Sequence, residues 1–261
     1  MIKFSIITVC LNAGDDLIET VESVLNQTFS NYEIVIKDGF STDGSVEKLP
    51  DDPHIRFVQC KDKSVYDAMN QAIAYASGDY CIFINAGDTL YDHTTLRQIS
   101  DFIKDNPGDF YYGKSHTVSS GVMNYGPAEV TKYYCYRTTM CHQAMVIKTS
   151  YLKERGYDTS YIISADREWM VYAFVQAKMR FVRMPMVVSN YKGGGISSGD
   201  DVLSIIGDET ARINQTFFSR GERLKFAVMR AATLPGIRSK ISRNPRFKST
   251  YYKIRYKYLS R

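Results

Sequence analysis

A chain of 261 residues is long enough for one large α/β domain with additions, and its 44% apolar and 23% charged residues exclude a disordered or fibrous protein. The net charge of +5 conceals a division: residues 219–261 carry 13 Lys and Arg against the single acid Glu222, while residues 1–218 carry 20 basic and 27 acidic side chains. So concentrated a positive field points to an anionic partner for the last 43 residues, membrane headgroups or nucleic acid.

Residues 3 to 110 repeat an apolar β-branched run, a polar turn and an amphipathic helical stretch, the signature of βαβ units. Lys3–Val9 reads as a strand, and 16–27 as a helix with Leu17, Val21, Val24 and Leu25 on one face. Tyr32–Lys37, His54–Gln59 and Tyr80–Asn85 read as further strands, with a helix over 65–76. The unbroken apolar runs Ile34–Ile36 and Cys81–Ile84 require burial on both faces, as in a mainly parallel sheet covered by helices. Ligands of such sheets lie beyond the carboxyl ends of the strands, so the turns after Val9, Lys37 and Ile84 are the places to look.

Beyond residue 110 the pattern loosens. Short strands are expected at Phe110–Gly113, Met145–Ile147 and Met186–Tyr191, a helix over 166–176, and a flexible loop from Lys192 to Ser197. Helices over 201–217 and 223–234 follow, the second closed by Pro235-Gly236. No window reaches the roughly 18 apolar residues of a membrane span, and the apolar opening runs into Asn12, Gly14, Asp15 and Asp16 rather than a signal-peptide pattern. The five cysteines, Cys10, Cys60, Cys81, Cys135 and Cys141, form no Cys-x-x-Cys pair and fit a reducing compartment.

Three acidic turns carry chemistry. Asp38 ends a buried strand, where its carboxylate is expected to project into the crevice and accept from a ribose or base; Asp43 in the same turn reads as a helix cap. The strand Ile82–Ile84 stops at Asn85-Ala86-Gly87-Asp88, and one carboxylate suffices for Mg²⁺, which keeps waters and takes its other oxygens from phosphate; a solvated turn explains the same residues equally well. Asp166 sits two residues after Ser164, in the first turn of a helix, where the dipole favours the ionised form a general base needs; ordinary helix-terminal decoration remains an even alternative.

The histidines His54, His93, His116 and His142 lack zinc-ligand spacing, and only His142, beside Gln143 and between two apolar runs, is a candidate for lining a site. The glycine run 193–195 fits neither the dinucleotide fingerprint nor a P-loop, which argues against nicotinamide chemistry and ATP hydrolysis.

Together, Phe4 to Asn12, Glu22 to Thr28, Asp38 to Ser45, Asp62 to Asn70, Gly78 to Asp88 and Cys141-His142-Gln143 resemble glycosyltransferase family 2 in order, spacing and strand placement, over roughly residues 3 to 200. The resemblance implies the GT-A fold, a Rossmann-like, mainly parallel sheet flanked by helices, spanning 1–218 and followed by a basic amphipathic extension over 219–261. It implies an inverting, hexosyltransferase-type enzyme that moves one sugar from a nucleotide sugar, most often a UDP-sugar, with Mg²⁺ or Mn²⁺ as cofactor. Thr8, Asp38 and Asn70 would lie at the nucleoside, and Asn85, Ala86, Gly87 and Asp88 would form the donor turn, with Asp88 the metal carboxylate. Asp166 would be the catalytic base, and His142 and Gln143 would be acceptor-binding or site-lining residues. Asn85, Gly87 and Phe40 depart from the commoner residues at their positions, and the Q-x-x-R-W element of processive synthases is absent.

Within the family the chain looks like the bacterial enzymes of capsule, exopolysaccharide or O-antigen synthesis. A lipid-linked glycan acceptor is therefore expected, with a cytoplasmic, peripheral location at the inner face of the inner membrane. The extension would meet the anionic surface, and no nucleic-acid partner is expected. Two other readings remain open: a sugar-phosphate nucleotidyltransferase, disfavoured by the acidic stretch 12–16, and a catalytically silent scaffold that uses its basic tail.

Overall fold

In the computed structural model, which describes residues 2–194 and 202–232, the first strand, Phe4–Cys10 (β1), is buried at every position. It pairs in parallel with Tyr32–Asp38 (β2) on one side and Tyr80–Phe83 (β4) on the other, and β2 pairs in parallel with Ile55–Gln59 (β3). Because successive residues of a strand face opposite ways, Ile6, Ile34, Ile36 and Ile82 enter one core while Ile7, Val35, Cys81 and Phe83 enter the other. The first core is closed by the helices Asp15–Leu25 (α1), through Leu17, Val21 and Val24, and Thr95–Asp105 (α3), through Leu96, Ile99 and Ile103. The second is closed by Val65–Tyr75 (α2) and Ala165–Val175 (α6), whose Trp169 is fully buried.

The sheet continues through Thr89–Leu90 (β5), Phe110–Thr117 (β6), Val122–Asn124 (β7), Met145–Lys148 (β8) and Phe181–Tyr191 (β9). The order is β3-β2-β1-β4-β8-β6-β9-β5, with β7 paired to β6. The parallel half ends at β4, which meets β8 antiparallel; β8 and β6 are also antiparallel, whereas β6 and β9 run in parallel. Short helices Lys132–Arg137 (α4) and Thr149–Glu154 (α5) precede α6, and Val202–Phe217 (α7) and Arg220–Ala232 (α8) close the described chain.

Gly78 lies where the chain must pass against β1: a Cβ there would stand 2.7 Å from the backbone of Phe4 and Ser5, so only glycine fits. Helix α3 and residues 181–185 of β9 go beyond the elements expected from sequence, as do α4, α5, β5 and β7. Helix α8 begins at Arg220 rather than Arg223, and Phe226 on it is buried against Tyr133, Tyr136 and Phe218. Its Leu224, Ala227 and Val228 are exposed, while the side chain of Ala231 and residues 233–261, with Phe247 and the four tyrosines Tyr251, Tyr252, Tyr256 and Tyr258, lie outside the described residues. No described helix is long and apolar enough to cross a membrane.

Candidate active site

A cleft of about 660 Å³ opens at the carboxyl edge of the parallel strands. The turn after β4 forms its floor. Asp88 N–H closes on the Asn85 carbonyl at 2.9 Å, Gly87 adopts φ +95, and Thr20 of α1 donates to the Asp88 carbonyl at 2.7 Å while accepting from Gly87 N–H. Positive φ at Gly87 is open to glycine at little cost, which accounts for glycine there. Asp88 is only 5% exposed. Its Oδ2 accepts from Gln143 Nε2 at 2.8 Å, and its Oδ1 accepts from the Lys192 backbone N–H, just past β9, at 3.0 Å. Burial pushes this carboxyl above the usual carboxylate range, and the Asp16 charge adds to the effect.

Asp16 occupies the same corner. It pairs with the Lys192 ammonium, and a Cβ on Gly87 would lie 3.1 Å from its Oδ2. Asn85 lines the cleft with a buried Oδ1 that has no protein donor. The corner therefore offers hard oxygen atoms, although no three His, Cys, Asp or Glu side chains gather around one point among the described residues.

Asp166 reaches the cleft from the first turn of α6. The Tyr66 hydroxyl of α2 bridges the Ile163 carbonyl and Asp166 Oδ1, the latter at 3.1 Å. Burial and the Asp166 charge raise the Tyr66 pKa, so the phenol stays protonated and donates. The loop before Asp166 is held by Glu209 of α7, whose carboxylate accepts from the backbone N–H groups of Ile162, Ile163 and Ser164. His142 and Gln143 also line the cleft; His142 stacks on Phe83 and meets the Tyr157 hydroxyl at 2.9 Å. Burial lowers the His142 pKa and keeps the ring neutral.

Asn85, Ala86, Asp88, His142, Gln143 and Asp166 thus line one cleft, with Gly87 in its floor turn. Thr8, Asp38 and Asn70 do not line it. The Thr8 hydroxyl donates to the Ile84 carbonyl at 2.8 Å inside the sheet. Asp38 is fully buried and turned back on its own loop, accepting from Phe40 N–H, from the N–H and hydroxyl of Ser41, and from Gln59. Burial alone would raise its pKa, but these donors outweigh it and hold the carboxyl below the ordinary range. Asn70 clamps the backbone of Tyr157 by a pair of hydrogen bonds, 2.7 and 2.8 Å long. Asp43 accepts from Gly14 and Ser45, which ties its turn to the end of β1.

Tyr66, Asp16, Lys192 and Glu209 are the site residues that sequence reasoning missed. Tyr66 sits inside the recognised stretch 62–70, and Lys192 directly precedes the glycine run, so both had a local signal. Glu209 had none, because its partners lie more than 40 residues away. Of the expected loop over 192–197, Gly195, Ile196 and Ser197 fall outside the described residues.

Residues 5–167 match the sequence profile of Glycosyl transferase family 2. The chain belongs to that family. Of the readings left open by the sequence, the match selects the glycosyltransferase. Among similar proteins is a PGL/p-HBAD biosynthesis glycosyltransferase of Mycobacterium bovis, 30% identical over 203 residues, covering 75% of this chain and 79% of that one. The fold is that of S. aureus TarS 1–349 in complex with UDP-GlcNAc, with a TM-score of 0.69 at 19% identity, covering 86% of this chain and 70% of that one. The chain spans 60% to 70% of the TarS 1–349 structures it matches. Another similar structure is the mannosyltransferase PcManGT from Pyrobaculum calidifontis in complex with GDP-Man and Mn²⁺, with a TM-score of 0.58 at 14% identity, covering 98% of this chain and 84% of that one. This family 2 enzyme has the GT-A architecture: a mixed α/β sheet with a parallel first half and helices on both faces.

Proposed function

We propose that this glycosyltransferase is an inverting enzyme that moves one sugar from a nucleotide sugar, a UDP-sugar by the TarS likeness, onto a lipid-linked saccharide acceptor of a bacterial surface polysaccharide. The observation that carries the reading is that Asp88 and Asp166, from the sheet edge and from α6, open onto one cleft. A single displacement needs a group that tolerates the charge of the departing diphosphate and a separate base for the attacking hydroxyl.

Asp88 and the Asn85 Oδ1 would hold a divalent cation, Mg²⁺ or Mn²⁺; the unpartnered Oδ1 and the elevated Asp88 pKa are both features that a bound cation would relieve. Each Asp88 oxygen already accepts one hydrogen bond and retains a second acceptor site. When bound, such an ion supplies neutralisation of diphosphate charge without proton transfer. Asp166, oriented by Tyr66, takes the acceptor hydroxyl proton as its oxygen attacks the anomeric carbon. One displacement inverts that centre. Gln143 and Lys192 fix the Asp88 carboxylate against rotation, and Ile162, 60% exposed beside Asp166, gives the acceptor an apolar rest.

The basic extension supports peripheral binding at the inner face of the membrane. On α8, Leu224 and Val228 face solvent among Arg220, Arg223, Lys225 and Arg230, whereas Glu222, its single acid, is held to about 2 by the Lys132 ammonium and Ser219. Such a helix suits an anionic interface.

The test is transfer from radiolabelled UDP-sugars to a polyprenyl-diphosphate saccharide, with Mg²⁺ or Mn²⁺ and with the anomeric configuration of the product read by NMR. Expected are metal-dependent transfer, an inverted linkage, and loss of transfer in Asp166→Asn and Asp88→Ala. Folded variants with near-normal rates would refute the two roles.

A further inference from the structure

Phe40 combines three properties that do not belong together in an ordinary surface residue. It is a bulky side chain at φ +72, in the left-handed region that non-glycine residues avoid. It is 46% exposed, packs on neither core cluster, and has no ring partner among the described residues. It also lies two residues past the carboxyl end of β2, at the same edge of the sheet as the cleft, beside the residues that line it rather than among them.

The unfavourable backbone is actively held. Phe40 N–H donates to Asp38 Oδ2 at 2.9 Å, and the next residue, Ser41, donates to the same carboxylate through its N–H and its hydroxyl. Gly39 N–H ties the turn to the Cys10 carbonyl at 2.9 Å. Strain of this kind persists only where its surroundings over-determine it, and it concentrates at ligand-binding positions. The Asp38 carboxylate thereby sets the backbone of residue 40.

Leu11 gives the second apolar surface. It is 59% exposed at the end of β1, lines the cleft, and presents its Cδ1 3.3 Å from where a Cβ on Gly39 would stand. Leu11 thus packs beside Gly39, the chain neighbour of Phe40, and shares the cleft with the Asn85–Asp88 turn. The cleft that Leu11 lines also holds the charged corner of Asp16, Asp88 and Lys192, so it grades from apolar to charged. A ligand with an anionic middle and a flat, weakly polar end fits that gradient.

We propose that Phe40 is a donor-binding residue whose ring stacks on the nucleobase of the nucleotide sugar, with Leu11 supporting the opposite edge. The inference rests on the nucleotide-sugar reading above and adds a residue that sets affinity for the base. Stacking on an aromatic face tolerates any base, so the ring contributes binding while hydrogen-bonding groups elsewhere choose between bases.

The test is calorimetric titration of the full chain with UDP, GDP and inorganic pyrophosphate, each with Mg²⁺, for the native protein and for Phe40→Gly, Phe40→Leu and Phe40→Trp. Phe40→Gly and Phe40→Leu are expected to weaken binding of the nucleoside diphosphate that the native protein takes by roughly 5- to 150-fold, the range of one base–aromatic stack. Pyrophosphate affinity should stay the same, and Phe40→Trp should retain binding. Phe40→Gly should also raise Tm, because glycine accepts the positive φ. Loss of affinity in a variant of higher Tm separates binding from damage to the fold. Native protein that binds a nucleotide while Phe40→Gly and Phe40→Leu bind it equally well overturns the inference and leaves the function standing. Native protein that binds neither UDP nor GDP overturns both.

Discussion

The Gln143 carboxamide donates to Asp88 Oδ2 at 2.8 Å, joining two residues 55 positions apart across the floor of the cleft. Gln143 Oε1 in turn accepts from the Cys141 thiol at 3.1 Å, so the amide orientation is set. With the Lys192 N–H on Oδ1, Asp88 is a buried carboxylate held by neutral donors alone. Such a group is destabilising where it stands, because neutral donors do not replace the water a charge has lost. Asp88→Asn is therefore expected to keep the fold and raise Tm while abolishing metal-dependent transfer. Thermal denaturation and a transfer assay on the same preparation check this, and a variant less stable than the native protein would show that the carboxylate serves the fold.

The raised Asp88 pKa fixes the sign of a pH effect. The folded protein retains this proton above the ordinary value of 3.8, where the unfolded chain has released it. The Asp88 contribution to stability is therefore most favourable below 3.8, declines as pH rises through the folded value, and is level beyond it. Asp88→Asn lacks this slope, so its advantage over the native protein should grow from about pH 4 upward and then flatten. Urea unfolding midpoints of both proteins across that range measure it, and a pH-independent difference counts against the assignment.

Asp166→Asn should cost 10²- to 10⁴-fold in kcat, the usual contribution of a positioned base, with little change in donor affinity. Tyr66→Phe removes the 3.1 Å hydrogen bond that orients Asp166, together with the one to the Ile163 carbonyl, and should lower kcat by much less. Single-turnover rates together with a donor binding isotherm separate the two steps. Equal losses in both variants would make Tyr66, rather than Asp166, the group that handles the proton.

How far these residues could be read from sequence depended on the range of their contacts. The parallel half of the sheet was legible because Ile6, Ile34 and Ile82 are buried on sight of their neighbours, and turns that end such strands are short and local. The placement of Asp88 and Asp166 on one cleft was legible for the same reason: each follows a recognisable strand end or helix start. The role expected of Asp38 was read from its position at a strand end, where sequence does not reveal that Ser41 and Gln59 already occupy its oxygens. Helix α3 carries the same amphipathic signal as α1, with Leu96, Ile99 and Ile103 three and four residues apart, so it too is legible in the sequence. Glu209 was invisible because only the packed fold brings α7 to the loop it holds.

Glu209 is the longest-range support of the base. It accepts from three backbone N–H groups just ahead of α6, that of Ser164 buried and the other two half-buried, and Glu209→Ala would remove this acceptor from all of them. The expected loss of stability is about 1–3 kcal/mol, with a fall in kcat because Asp166 follows the freed segment by two residues. Glu209→Gln, which keeps one acceptor oxygen, should recover part of both. Hydrogen exchange at Ile162 to Ser164 is the direct readout, and unchanged protection there in Glu209→Ala would remove this role.

The basic extension can be tested without damaging the core. Deleting residues 219–261 would remove Phe226, whose ring is buried against Tyr133, Tyr136 and Phe218, and would confuse lost binding with lost structure. Deleting 233–261 keeps that ring and removes nine of the 13 basic residues. Each Lys or Arg near an anionic bilayer contributes about 1 kcal/mol, so co-sedimentation with phosphatidylglycerol vesicles should collapse in the truncated protein and in high salt. Leu224→Asp with Val228→Asp, on the exposed side of α8, should weaken binding further while leaving Tm unchanged. Transfer to a water-soluble acceptor should persist in both proteins, since neither change reaches the cleft that holds Asp88 and Asp166. Vesicle binding that survives the truncation at low and high salt alike would place the membrane contact elsewhere on the molecule.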